Sequence, residues 1–210
     1  MHQATVDLYW IPLGAGGHSV RLNGRVYEAM VAARDRRPRC DLYHAALVVE
    51  VGDQRYAIEI APSPNGDEDG RGVVTTGAVG SRWFGCWRLF RYEVRCWQGG
   101  SILDLADAVG GPRRLTTDPA VARRLVQLVA SVPTPVWGRD EMRTGDMWNS
   151  NSVIAWLIAI AGLPAAGLRP PPHGRAPGWS AGLEVARRQC RLGTPSEEGR
   201  RSRAVGTIAS

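Results

Sequence analysis

Lysine is missing from this chain: all 26 basic residues are arginine. The glycine-rich stretch Gly14-Ala15-Gly16-Gly17-His18 therefore has no Gly-Lys-Ser/Thr ending, nor does it spell G-x-G-x-x-G, which excludes a phosphate loop there. Long apolar runs are missing too. The longest, Val153 to Leu163, falls well short of the roughly 20 residues a bilayer requires. The start, Met1-His2-Gln3-Ala4-Thr5-Val6-Asp7, has no basic segment followed by an apolar one, so no secretory leader is expected. Together these absences predict a cytoplasmic protein with no transmembrane segment. Cysteine and histidine are scarce. Cys40, Cys86, Cys96 and Cys190 contain no C-x-x-C pair, and His2, His18, His44 and His173 form no ligand cluster, so no metal and no cofactor are expected. The thiols are expected to be reduced. No internal repeat is found.

What is present is an ordinary globular composition, 44% hydrophobic and 22% charged over 210 residues, enough for one domain with a full core. The net charge of +6 is unevenly placed. Residues 1–165 hold 18 arginines against 17 acids, and residues 166–210 hold 8 against 3. The excess belongs to the end of the chain. It reads as a solvated tail rather than a surface for specific nucleic-acid binding. The oligomeric state is not legible.

Along the chain, Val6–Leu13 reads as a strand and Val26–Arg34 as a helix stopped by Pro38. Leu42–Val51, the turn Gly52-Asp53 and Arg55–Ala61 read as a two-residue hairpin. Residues 62–70 are a loop by composition, and Val73–Val79 reads as a short strand. From Arg88 to Trp97 the pattern alternates. Phe90, Tyr92, Val94 and Cys96 share one face and Arg91, Glu93 and Arg95 the other, which predicts a half-buried antiparallel strand. Ser101–Val109 reads as a short helix. Asp118 caps a better one, with Pro119 at its first position. Residues 166–193 form a Pro/Gly-rich extension that carries Trp179 and a short helix over Ala181–Cys190, and it is expected to wrap back onto the body. Residues 194–210 read as a disordered basic tail, removable without loss of stability. The expected domain is thus α+β over residues 1–165, with an antiparallel sheet packed on a buried helix.

That helix is the organising element. Asn149-Ser150-Asn151-Ser152 leads straight into the run from Val153, and Gly162-Leu163-Pro164 ends it. A helix so apolar must be buried nearly all round. Its first turn has free backbone N–H groups and the positive end of the macrodipole, a setting suited to a nucleophile or to a bound anion. It serves equally as a plain cap on a core helix.

Three segments, Leu42–Asp53, Tyr56–Pro62 and Asn149–Ile154, resemble the circularly permuted papain-like group that includes the lecithin:retinol acyltransferase-like proteins and the NlpC-type peptidases. In that group a histidine opens a strand, a polar residue follows on the next strand, and an Asn-Cys motif starts a distant helix. The resemblance implies His44 as base, Glu59 as the residue that orients it, and Ser150 in the place of the nucleophilic cysteine. It covers roughly residues 40–62 and 145–162. If the hairpin turn has two residues, Ala46 faces Glu59, and Glu59 lies diagonally across from His44 on one face, about 7–8 Å away between backbones. A three-residue turn sends it to the other face.

Two functions follow from the resemblance. One is acyl transfer or amide hydrolysis by Ser150, His44 and Glu59 on a small-molecule, lipid or peptide substrate, with Asn149, Asn151, Trp148 and Tyr43 around it. The other is a catalytically inactive papain-like fold that binds a ligand or partner. Serine favours the second, since it needs stronger base assistance than a thiol.

Overall fold

The computed structural model describes residues 4–14, 28–63, 72–83 and 90–193. The Ala15–Gly17 part of the glycine-rich stretch, His18, the beginning of the helix expected at Val26, most of the loop after Pro62, Cys86 and the tail 194–210 lie outside them.

A mixed α+β chain forms one mainly antiparallel sheet with three helices packed on one face. The strands are β1 (Ala4–Pro12), β2 (Asp41–Val51), β3 (Gln54–Pro62), β4 (Val73–Ala78), β5 (Arg91–Gln98) and β6 (Arg113–Thr116), in the order β4-β5-β3-β2-β1-β6. A two-residue β7 (Gly174–Arg175) adds in parallel to the start of β2. Of the helices, α1 covers residues 28–34; α2 (Pro119–Leu128), α3 (Ser150–Ile160) and α4 (Trp179–Gly193) follow. No helix among the described residues is long and apolar enough to cross a membrane.

The hairpin forms as its turn residues dictate. Gly52 takes a φ of 61° while Asp53 stays out of the left-handed region, as the first central position of a type II′ turn requires. Val51 then pairs with Gln54, and the register runs to Leu47–Ile58. There the pairing stops. β3 continues beside β5 as far as Pro62–Tyr92, so the two hairpin arms separate beyond Leu47.

Alternate residues of each strand face opposite sides of the sheet. Val6, Leu8, Trp10, Ala45, Leu47, Ile58 and Val94 share one buried cluster with α2, α3 and α4. Every residue of α3 from Ser150 to Ile158 is buried, at about 1.5–3 kcal/mol for each large aliphatic side chain. The extension is part of that core: Trp179 is buried and its ring lies 5.0 Å from that of Trp10. α4 is longer than the sequence pattern indicates, and it crosses α3 so closely that Gly182 lies against the backbone of Ser152.

The short helix expected within Ser101–Val109 is a 3-10 helix, Leu103–Asp107. One expectation is corrected. The charged face of β5 is not solvent-facing. Glu93 is fully buried and Arg95 nearly so, because Ile102, Leu105 and Ala108 pack with Ile11, Ala46, Val48, Ala57 and Trp97 across that second face. Alternation correctly sorted the residues by side, but a second layer covers the polar side.

Candidate functional site at the start of the buried helix

The polar run that begins α3 is largely consumed by the fold. Asn149 is the N-cap, extended at φ −160°. Its Oδ1 accepts from Asn151 N at 2.9 Å and Ser152 N at 3.3 Å, and its Nδ2 donates to Pro177 O at 2.9 Å. Ser152 completes a capping box by accepting from Asn149 N at 3.0 Å, as expected of this pattern of residues. Its hydroxyl donates to Gly178 O at 2.7 Å. Gly178 sits at φ 85° with Asn149 and Ser152 against it, so a side chain there would meet both.

Asn151 reaches the sheet. Its Oδ1 accepts from Ala45 N at 2.8 Å, and its Nδ2 donates to Tyr43 O at 3.0 Å and Pro177 O at 2.9 Å. It fills the edge of β2 that β3 has left. Trp148 is buried in the core, 2% exposed, and Tyr43 is buried with its ring against Gly174. The four residues implied as a substrate surface are thus placed around the helix start, with the polar atoms of Asn149 and Asn151 committed to the fold.

Ser150 differs from its neighbours. Of the four first-turn amides, those of Asn151 and Ser152 are taken by Asn149 Oδ1 and that of Val153 by Asn149 O at 3.2 Å. Neither Ser150 N nor Ser150 Oγ has a hydrogen-bond partner among the described residues. The residue is 6% exposed.

His44 lies on β2 opposite Ile11, half-buried. Strand alternation turns its side chain away from the face of Tyr43 and Ala45, toward that of Ala46 and Val48. Burial lowers its pKa below the ordinary 6.5, and the charge of Asp104 partly offsets this. The imidazole is therefore neutral near pH 7, as a general base must be. No hydrogen bond joins it to Ser150 among the described residues. The structure brings the two residues to one junction, since the side chain beside Ser150 grips both neighbours of His44, but it does not bring ring and hydroxyl into contact.

Glu59 is held elsewhere. The two-residue turn puts it on the register that faces Ala46, yet pairing ends one step earlier, and its carboxylate accepts from Arg95 at 3.0 Å. Burial raises its pKa, Arg95 lowers it, and the charges of Asp104 and Glu93 raise it further. The acid whose charge acts on His44 is Asp104, in the 3-10 turn. No sequence signal marks that residue, which lies 60 positions from His44 in an irregular segment.

An open pocket of about 380 Å³ is lined by Asp146, Leu168, Arg169, Arg175, Pro177, Trp179 and neighbouring residues. Ser150 and His44 are not part of its lining. No group of His, Cys, Asp or Glu among the described residues is arranged to hold a metal. No family model, curated protein or solved structure matches this chain.

Proposed function

We propose that the chain is an acyl transferase or amidohydrolase of papain-like arrangement in which Ser150 is the nucleophile and His44 its base. One observation carries this reading. In the first turn of α3, where the side chains of Asn149, Asn151 and Ser152 are tied into the fold, Ser150 keeps its hydroxyl and its backbone N–H unengaged among the described residues. In the proposed reaction His44 removes the Ser150 proton as Oγ bonds to the substrate's carbonyl carbon. The Ser150 N–H, at the positive end of α3, stabilises the oxyanion. His44 then protonates the leaving group; water or an acceptor alcohol or amine, deprotonated by the same ring, attacks the acyl carbon, the bond to Ser150 Oγ breaks, and His44 returns its proton to Oγ. Strand alternation directs the ring away from the face on which α3 packs, so the reaction requires it to swing round the edge of β2 that β3 has left. The charge of Asp104 raises the His44 pKa, an electrostatic effect of the kind the resemblance implies for Glu59.

A second reading, an inactive fold that binds a ligand, is favoured by the missing Ser150–His44 hydrogen bond. A serine-directed fluorophosphonate probe separates the two. Labelling of Ser150 that is lost in Ser150→Ala and falls at least about 100-fold in His44→Ala is expected of the enzyme, since base assistance contributes about that much or more. Labelling indifferent to His44 would leave the binding reading.

A further inference from the structure

We infer that Asn151 is the positioning residue of this site, a side-chain amide that takes the place of a strand and thereby sets where His44 stands relative to Ser150. This rests on the Ser150–His44 pairing proposed above.

Continuing the hairpin register past Leu47–Ile58 would set Ala45 opposite Ile60 and close their backbone groups on each other. Instead Ala45 N donates to Asn151 Oδ1 and Tyr43 O accepts from Asn151 Nδ2. An accepting oxygen and a donating nitrogen in one plane reproduce what a peptide group offers a strand edge. Of the other short side chains, aspartate lacks the donor, and the single hydroxyl of serine cannot reach both groups. The two bonds fall on the residues either side of His44, and Ser150 is one Cα step, about 3.8 Å, from the residue that makes them. A third bond, to Pro177 O, ties the chain after β7 to the same amide. Asn151 is 3% exposed, so water does not compete for these contacts. Asn151 thus holds the edge of β2 that β3 leaves, directly beside the helix start.

The test uses Ser150→Cys in the full chain, with the thiol pKa read from the pH dependence of iodoacetamide alkylation at that site by peptide mapping. Burial pushes the Cys96 thiol up to about 11, so the peptides that carry Cys40 and Cys190 serve as the internal references. The thiol at position 150 should titrate below the ordinary 8.5, and His44→Ala should raise it. Adding Asn151→Ala should also raise it, by about one unit or more, which cuts the thiolate fraction about tenfold at pH values well below the pKa. Asn151→Gln, which keeps donor and acceptor, should recover part of the difference. A merely structural role would lower the melting temperature and leave the thiol pKa of the folded variant at its parent's value, and that result overturns the inference. A thiol that responds to His44→Ala but not to Asn151→Ala sinks Asn151 alone. A thiol indifferent to His44→Ala sinks the pairing, and the role of Asn151 with it. Should the Asn151 variants not fold, wild-type NMR decides. A scalar coupling across the hydrogen bond from the Ala45 amide nitrogen to the Asn151 side-chain carbonyl is expected, and its absence refutes the placement.

Discussion

Gly182→Ala sets local preference against packing. Within a helix, alanine is better than glycine by about 1 kcal/mol, so from α4 alone the substitution stabilises. At the crossing with α3 the opposite holds. The added methyl would overlap Ser152 O and stand 2.8 Å from the Ser152 carbonyl carbon and 3.0 Å from Ala155 Cβ. Carbon atoms rest at about 3.5–4.0 Å, so the helices must part by roughly 1 Å. The obstructing atoms are mostly backbone of a buried helix, which cannot rotate aside. Overpacking costs about 1–3 kcal/mol, and this geometry belongs at the upper end. Set against the propensity gain, a net loss of about 2 kcal/mol remains, or a fall in Tm of roughly 4–8 °C for a domain of this size. Urea unfolding followed by tryptophan fluorescence measures it, with Gly167→Ala as the control. Gly167 has nothing within 4 Å of an added Cβ and no positive φ, so its substitution should be neutral or slightly stabilising. A Gly182→Ala protein as stable as the parent would refute the close-crossing argument.

Three further outcomes are expected. Arg95→Met should cost about 3–5 kcal/mol near neutral pH, because it removes the guanidinium that Glu59 and the fully buried Glu93 share. The folded pKa of Glu59 is raised above its ordinary 4.5; the folded state thus holds that proton more tightly, stability falls as pH rises through that window, and the variant's deficit should shrink toward pH 5 in parallel denaturation curves. In NMR titration His44 should titrate below 6.5, and Asp104→Asn should lower it further, since Asp104 acts upward. The depressed folded value means that the stability His44 contributes is complete above 6.5 and is lost as pH falls below it. A His44 titrating at or above 6.5 would contradict the burial argument. Asn149→Ala should cost about 1–2 kcal/mol, from two first-turn amides and the Pro177 link, read as a shift in the urea midpoint.

The start and end of α3 were legible because capping is local. Asn149, Ser152 and Gly162 lie within five positions of the groups that end the helix ladder, so their effect can be read from neighbouring residues alone. The hairpin was legible for the same reason: Gly52 supplies the positive φ, and a two-residue turn leaves one register. Where the hairpin opens was not legible. There the edge of β2 is taken by Asn151, 106 positions from the Ala45 amide it binds, and no periodicity encodes such a contact. The same holds for Glu59. Its strand position follows from the turn, but its partner is Arg95, 36 residues on, and only the adjacency of β3 and β5 brings them together. β6 and β7, with four and two residues, are too short to show a pattern and exist because a sheet edge was there to receive them. Alternation in β5 told which side chains share a face. Whether water or a second layer covers that face depends on what the rest of the chain brings to it, and that is a property of the packed structure alone.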